Sequence, residues 1–254
     1  INVRNISKVA IDNKNQIMGF LPLLCKSGPY GDVINSLPFF GSNGGIISKT
    51  KDAEKKLLNY FNKFPENKNV ACSTWISNPF NNNLIPNHDF KDFRIAQYTR
   101  LDDFGENNLP KLIHSSANRN LKKALKENIK IFKDKSEINF LEKVHYENML
   151  SIGGKTKPRE FFESLRKNIL PDNQWNLYIA KKGDKLLAAL LTFEFADTVE
   201  YIMPVVNYEA RSLQPTSAII YFAMNDTRER GFKFWNWGGT WATQDGVYKF
   251  KKKW

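Results

Sequence analysis

The segment FWNWGGTWATQDGVYKFKKKW, residues 234–254, concentrates groups able to do chemistry. Lys249, Lys251, Lys252 and Lys253 carry ammonium groups, which bind oxyanions through charge-assisted hydrogen bonds. Tyr248 and Phe250 are interleaved with them. In an extended strand, Val247, Lys249, Lys251 and Lys253 would share one face, with Tyr248, Phe250 and Lys252 on the other. A purely solvated run of charge does not need that alternation. Trp235, Trp237 and Trp241 surround Gly238-Gly239 and suit a core or pocket wall better than a base-stacking platform.

Two further sets of cations point to an anion. In SIGGKTKPREFF (151–162), Gly153-Gly154 precede Lys155, Lys157 and Arg159 at an expected helix N-terminus, a fit for a pyrophosphate or phosphodiester. In ANRNLKKALKEN, Arg119, Lys122, Lys123 and Lys126 fall on one helical face, a stripe suited to a phosphate backbone or equally to water. The whole chain agrees in sign, with 38 Lys and Arg against 26 Asp and Glu and a net charge of +12 over 254 residues. That balance implies an anionic partner: nucleic acid, a nucleotide-linked substrate or an anionic membrane surface.

Other classes recede. The longest apolar run, around LLAALLTFEF, is about half the ~20 residues that a membrane span needs. The first twenty residues lack the regions of a signal peptide, and a reducing cytoplasmic compartment is expected, at most peripheral to the inner face of a membrane. Cys25 and Cys72 have no metal-type spacing and the three histidines are scattered, so no metal is expected.

The elements that must position these groups follow from periodicity. VAIDNKNQIMGFLPLL (9–24) and IAKKGDKLLAALLTFEF (179–195) both read as hairpins, turning at Asn13-Lys14-Asn15 and at Gly183-Asp184. Each precedes a strand containing proline, VINSLPF (33–39) and VEYIMPVV (199–206), so one βββ unit is expected twice. Helices are expected over 50–64, 114–128, 157–170 and 214–231. The third carries an apolar stripe of Phe161, Phe162, Leu165 and Ile169, and the fourth opens on Pro215 and stops at Gly231. The fold class is α+β, with mostly antiparallel sheets flanked by helices.

This order of elements resembles the GNAT acyltransferase fold. The C-terminal pattern FKFWNWGG, a loop, then GVYKFKKKW is similar to the Fem-type (FemAB-like) peptidyltransferases, which are two GNAT-like modules in tandem. GFLPLLCKSGPYGDVINSLPFFGSNGG (19–45) resembles their first module, and ANRNLKKALKENIKI (117–131) their basic linking helix. The resemblance covers nearly the whole chain. It implies a module over 1–110, lacking its start because the chain opens on Ile1, and a linking helix with a second module over 111–254.

The resemblance further implies that Phe250-Lys251 lies at the reaction centre, where a lysine stabilises an oxyanion or the end of a tRNA. Glu194, Glu200 and Tyr201 occupy strands where GNAT relatives keep a base; Lys251, Phe250, Tyr201 and Glu194 are therefore the catalytic candidates. Lys155, Lys157, Arg159, Arg211, Trp237, Gly238, Gly239 and Tyr248 are the substrate-binding candidates. GNAT enzymes hold the pyrophosphate of acetyl-CoA on a Gly-rich loop before a helix. The matching stretch RSLQPTSA (211–218) keeps Arg211 but has Gln214 and Thr216 for the glycines, and Pro215 has no N–H to donate. No tightly bound cofactor is expected, and the donor stays open between aminoacyl-tRNA and acyl-CoA. The implied activity is N-acyl transfer to an amine of a nucleotide-linked or lipid-linked cell-wall precursor. The alternatives are an acetyl-CoA-dependent N-acetyltransferase of polysaccharide biosynthesis and, from another class, a non-catalytic nucleic-acid-binding module.

Overall fold

The computed structural model describes residues 3–37, 42–81, 84–103, 105, 109–168 and 174–254. The chain divides into two compact units, Ile1–Phe93 and Arg94–Trp254.

In the first unit the strands are β1 (Arg4–Asn5), β2 (Lys8–Ile11), β3 (Ile17–Leu21), β4 (Leu24–Gly28), β5 (Gly31–Asn35), β6 (Ile47–Ser48) and β7 (Val70–Thr74), with helix α1 (Lys51–Phe61) before β7. The expected hairpin forms between β2 and β3, and Asn15 takes the left-handed turn conformation at φ 59°. Pro22 then ends β3, because it has no N–H for the ladder, and the chain resumes as β4 in a different sheet. β4 pairs antiparallel with β5, and β5 pairs parallel with β7. Thr50 caps α1 by accepting from the N–H of Ala53 at 3.2 Å. Gly19 gives α1 its close approach, since a Cβ there would lie 2.9 Å from Leu57 Cδ1.

Gly31 is a residue that this unit cannot readily replace. Its φ is +122°, and a Cβ would lie 2.7 Å from the carbonyl oxygen of Asn69. Gly31→Ala is expected to destabilise the first unit by about 2 kcal/mol or more, read as a lower urea midpoint with m unchanged.

The second unit contains β8 (Arg94–Arg100), α2 (Leu109–Leu112), α3 (Ser115–Lys126), β9 (Lys130–Lys133), α4 (Ile138–Ser151), α5 (Arg159–Asn168), β10 (Trp175–Lys182), β11 (Lys185–Phe195), β12 (Thr198–Val206), α6 (Pro215–Glu229), β13 (Phe234–Trp241) and α7 (Asp245–Lys251). Its six-stranded sheet runs β8-β13-β12-β11-β10-β9, antiparallel throughout except for β12 with β13. Alternate residues of the central strands face two cores. Tyr178, Ala180, Ala188 and Leu190 pack with α3 and α6 residues such as Leu121 and Ile220. Leu177, Ile179, Ala189 and Leu191 pack with Leu141, Phe162 and Leu165 of α4 and α5.

The two units share a topology: an antiparallel hairpin, a third strand, a helix, then a strand parallel to the third. That is the expected duplication, although the first unit adds β6 before its helix. The middle strand is continuous as β11 in the second unit and split by Pro22 into β3 and β4 in the first.

Other expectations need correction. Arg94–Arg100, placed by sequence in a first module ending at residue 110, pairs with β13 and belongs to the second unit. The basic helix ends at Lys126, and Ile131 lies in β9. α4 was not anticipated, because INFLEKVHYENMLS has apolar side chains on several faces and gives little periodic signal. The tail is helix α7, not a strand, and its buried Lys251 and Trp254 are three residues apart, a helical interval. Pro38, Phe39 and Ile169 lie outside the described residues.

Candidate active site

The parallel pairing of β12 with β13 runs from Thr198 and Phe234 to Glu200 and Asn236, after which β12 follows β11 and β13 follows β8. Asn236 fixes the point of divergence. Its Nδ2 donates to Glu200 Oε1 at 2.6 Å, and its Oδ1 accepts from the N–H of Gly238 at 2.8 Å. Glu200 is thereby a clasp between the strands. Both strands carry a register shift at this point, between Leu191 and Thr192 on the β11–β12 ladder and between Asn236 and Gly239 on the β13–β8 ladder. Gly238 takes φ +72°, which a β-branched or bulky residue would not adopt there.

Tyr201 is the first residue beyond the pairing. Its ring lies 4.9 Å from that of Trp237, and burial pushes its phenol far above the ordinary value, so it stays protonated at all working pH. Trp237 donates its indole N–H to Thr99 Oγ1 at 2.9 Å and meets Phe250 edge-on at 6.5 Å.

Lys251 closes the group. α7 returns along β13 and delivers its Nζ to Thr240 Oγ1 at 2.8 Å and to the carbonyl oxygen of Gly238 at 3.5 Å. The residue is 8% exposed. Burial, aided by the charge of Arg94, pulls its pKa down to about 8. Among the described residues no carboxylate forms an ion pair with it. A buried ammonium satisfied by a hydroxyl and a carbonyl keeps capacity for an anion. It lines a cleft of about 600 Å³ together with Tyr98, Thr99, Leu112, Trp237 and Trp254.

Arg94 was missed by sequence. Its guanidinium stacks on Trp241 at 5.1 Å and lies against Gly239, where a Cβ would come within 2.6 Å of Nη2. Gly239 is therefore a seat for an arginine. Trp241, expected as core or wall, is 43% exposed beneath that guanidinium. No motif marked Arg94, because its neighbours Gly239 and Trp241 arrive from a strand far later in the chain.

The remaining candidates lie elsewhere. Glu194 receives both outer nitrogens of Arg230 at 2.6 Å, and Asn176 Nδ2 at 2.7 Å. Its oxygens are committed to structure, which argues against the expected base. Gly153 is a left-handed cap at the end of α4, and Gly154 donates to the Met149 carbonyl at 2.8 Å, so the glycine pair terminates a helix rather than opening one. Lys155 is exposed, and Arg159 pairs with Glu163 at 3.1 Å. Lys157 is half-buried, its N–H donating to Nε2 of the buried His145; burial lowers the pKa of both. Arg211 stacks on Tyr208 at 4.9 Å. Tyr248 gives its carbonyl to Gln97 Nε2 at 3.3 Å. Arg119, Lys122, Lys123 and Lys126 are all exposed along α3. Among the described residues there is no group of side chains able to hold a metal, and no helix is long and apolar enough to cross a membrane.

FemX shares the fold with a TM-score of 0.71 at 13% identity, over 99% of this chain and 85% of that one. The C-terminal domain of a putative lysylphosphatidylglycerol synthetase from Agrobacterium fabrum gives a TM-score of 0.57 at 10% identity, over 96% of this chain and 73% of that one. L-PGS from Bacillus licheniformis gives 0.56 at 10% identity, over 94% and 73%. No curated protein matches the chain. The family model of the acetyltransferase (GNAT) domain matches residues 117–252. That span is more than half of the sequence and holds the diverging strands, Tyr201 and Lys251, and by it the chain belongs to the GNAT acetyltransferase domain family, an acyltransferase built on the GNAT fold.

Proposed function

We propose that this acyltransferase moves an acyl or aminoacyl group onto an amine of a cell-envelope precursor, a peptidoglycan peptide or an amino sugar, where β12 and β13 diverge. The observation that carries the reading is Lys251: a buried ammonium without a carboxylate partner among the described residues, beside Trp237 in an open cleft. The amine nitrogen attacks the acyl carbon and a C–N bond forms. The C–O or C–S bond to the carrier breaks, and the proton lost by the amine ends on the leaving group. Lys251 donates to the tetrahedral oxyanion in between. In this reading the neutral phenol of Tyr201, whose ring lies 4.9 Å from that of Trp237, is the candidate proton donor.

The start of α6 favours a donor other than CoA. Pro215 has no N–H, and the N–H of Ser217 is taken by the Gln214 carbonyl at 3.1 Å, so few backbone donors remain for a pyrophosphate. An aminoacyl-tRNA fits better, with acetyl-CoA as the alternative. In this reading the exposed α3 cations meet the tRNA backbone, the precursor is nucleotide-linked or lipid-linked, and attachment to the inner membrane face is electrostatic.

The test offers the folded protein labelled acetyl-CoA and charged tRNA in parallel, with amine acceptors. Transfer from neither donor overturns the proposal, and salt-steep binding of generic oligonucleotides alone would support a nucleic-acid-binding module instead. If tRNA is the donor, neutralising Arg119, Lys122, Lys123 and Lys126 to Gln is expected to flatten log K against log salt. The slope falls by roughly 0.7–0.9 for each phosphate that is no longer neutralised, measured by filter binding.

A further inference from the structure

The N–H groups of the Lys251 ammonium are not equivalent. Thr240 Oγ1 and the carbonyl oxygen of Gly238 accept from Nζ at 2.8 and 3.5 Å. The Thr240 hydroxyl donates to Gln97 Oε1 at 3.5 Å, so its lone pairs are left to face the lysine. Lys251 also lines the cleft beside Trp237, and among the described residues no third acceptor bonds its Nζ. A neutral lysine amine has two N–H groups and one lone pair. Loss of one proton therefore leaves both hydrogen bonds in place and frees a lone pair. The site holds the ammonium and the amine with the same heavy-atom geometry, which a pocket built only for a cation does not require.

Arg94 brings a second fixed charge to the next residue of β13. Its stack on Trp241 and its seat over Gly239 hold the guanidinium in place, and its Nε is buried without a hydrogen bond. Among the described residues no carboxylate pairs with it. The other charged groups around Lys251 have their own neighbours. Asp103, in the cleft, faces Arg100 at 3.7 Å, and Asp245 pairs with Lys249 on α7 at 2.5 Å. His114, before α3, meets Ser116 Oγ at 2.9 Å, and Lys252 stands 5.8 Å from the Tyr248 ring, with Lys253 after it. Two like charges without a counter-ion favour the neutral amine, in the direction given above for Lys251. A group that exchanges its proton near the working pH is what general acid–base catalysis needs.

We propose, resting on the transfer reaction above, that Lys251 is its proton relay and Arg94 the positioning residue that keeps the relay exchangeable. As the C–O or C–S bond to the carrier breaks, the ammonium gives its proton to the departing oxygen or sulfur. The amine left behind takes a proton from the nitrogen that has attacked. The new amide is neutral, the carrier leaves as an alcohol or a thiol, and Lys251 is an ammonium again. Protons and electrons balance without another reactant.

The first measurement needs no turnover. With ¹³C-labelled lysine, the ε-methylene signal of Lys251, assigned by its loss in Lys251→Met, is followed as pH is raised. Its midpoint is expected near 8 in the wild type. Arg94→Gln removes a charge that has no acid partner among the described residues, so it should fold. It is expected to raise the midpoint by about half a pH unit or more, while Arg94→Lys, which keeps a charge, leaves it near the wild-type value. In the transfer assay the alkaline limb of kcat/KM is expected to move with that midpoint. Lys251→Arg keeps a cation but never releases its proton, and is expected to lose as much kcat as Lys251→Met. A midpoint unmoved in Arg94→Gln, or moved as far in Arg94→Lys, overturns the role of Arg94. An active wild type whose Lys251→Arg variant keeps most of its kcat overturns the relay alone. Absence of transfer by the wild type overturns the proposed reaction and the relay with it.

Discussion

Lys251→Met abolishes most of the transfer activity and leaves the protein as stable as before, or more so. The loss expected in kcat is about 10²–10³-fold, the usual effect of removing one oxyanion donor. Stability moves the other way because the replaced ammonium is buried without a carboxylate partner among the described residues. Methionine of similar length fills the space, and the loss is limited to the hydrogen bonds to Thr240 and Gly238. A lysine serving only to hold α7 on β13 would give the opposite pattern, with a lower Tm and unchanged kcat in the folded fraction.

The pH dependence carries the same signature. The folded-state pKa of Lys251 is about 8, below its ordinary value, so between these two values the unfolded chain binds the extra proton. The cost of burying the charge is therefore fully present below about pH 8 and fades as pH rises toward the unfolded pKa. Wild-type Tm is expected to climb relative to Lys251→Met over that interval. Activity runs the other way: the ammonium that stabilises the oxyanion is lost as pH passes about 8, giving an alkaline limb that the variant lacks. Thermal melts and kcat/KM profiles on both proteins check the two halves separately.

Glu194→Ala is the second large effect, and here stability falls. Glu194, 4% exposed, holds Arg230, and Arg230 Nε donates to Asp226 Oδ2 at 3.0 Å. Asp226 in turn accepts from Tyr178 and Lys133 at 2.8 and 2.7 Å. Removing one member leaves a partly buried guanidinium uncompensated, at a cost of about 3–5 kcal/mol, or roughly 10 °C in Tm. Protein that remains folded should retain kcat, because the network lies away from Tyr201 and Lys251 in the hydrogen-bond pattern. Loss of kcat at full occupancy of the native state would restore Glu194 as a base. The network also sets acid sensitivity. Burial works against the Asp226 carboxylate, but the hydrogen bonds from Lys133 and Tyr178 overcome it and hold the pKa below the ordinary range. Its stabilisation is present above the unfolded carboxylate pKa and is lost as pH falls through the lowered folded value.

Local rules made much of the architecture legible. Proline at the first turn and glycine at the end delimited α6, and turn residues delimited both hairpins. These signals depend on a few adjacent residues, so they survive without tertiary context. The duplication was visible for the same reason. The tail was misread because YKFKKKW fits a period of two and a helical period about equally well over so few residues. Packing against β13 decided for helix, and the same Lys251 stayed the candidate under a different geometry.

Composition and spacing alone determined that the chain is basic, α+β and duplicated, and the resemblance to the Fem-type enzymes drew attention to the lysine beside Phe250. Tertiary structure decided which charges stand alone. Glu194 and Glu200 look alike in sequence, yet one is tied to Arg230 and the other clasps Asn236 at the strand divergence. Arg94 and Trp241, or Thr99 and Trp237, meet only after strands far apart in sequence have packed. Chemical competence depends on burial and on the partner a group lacks, and both are properties of three-dimensional neighbours that no linear spacing contains.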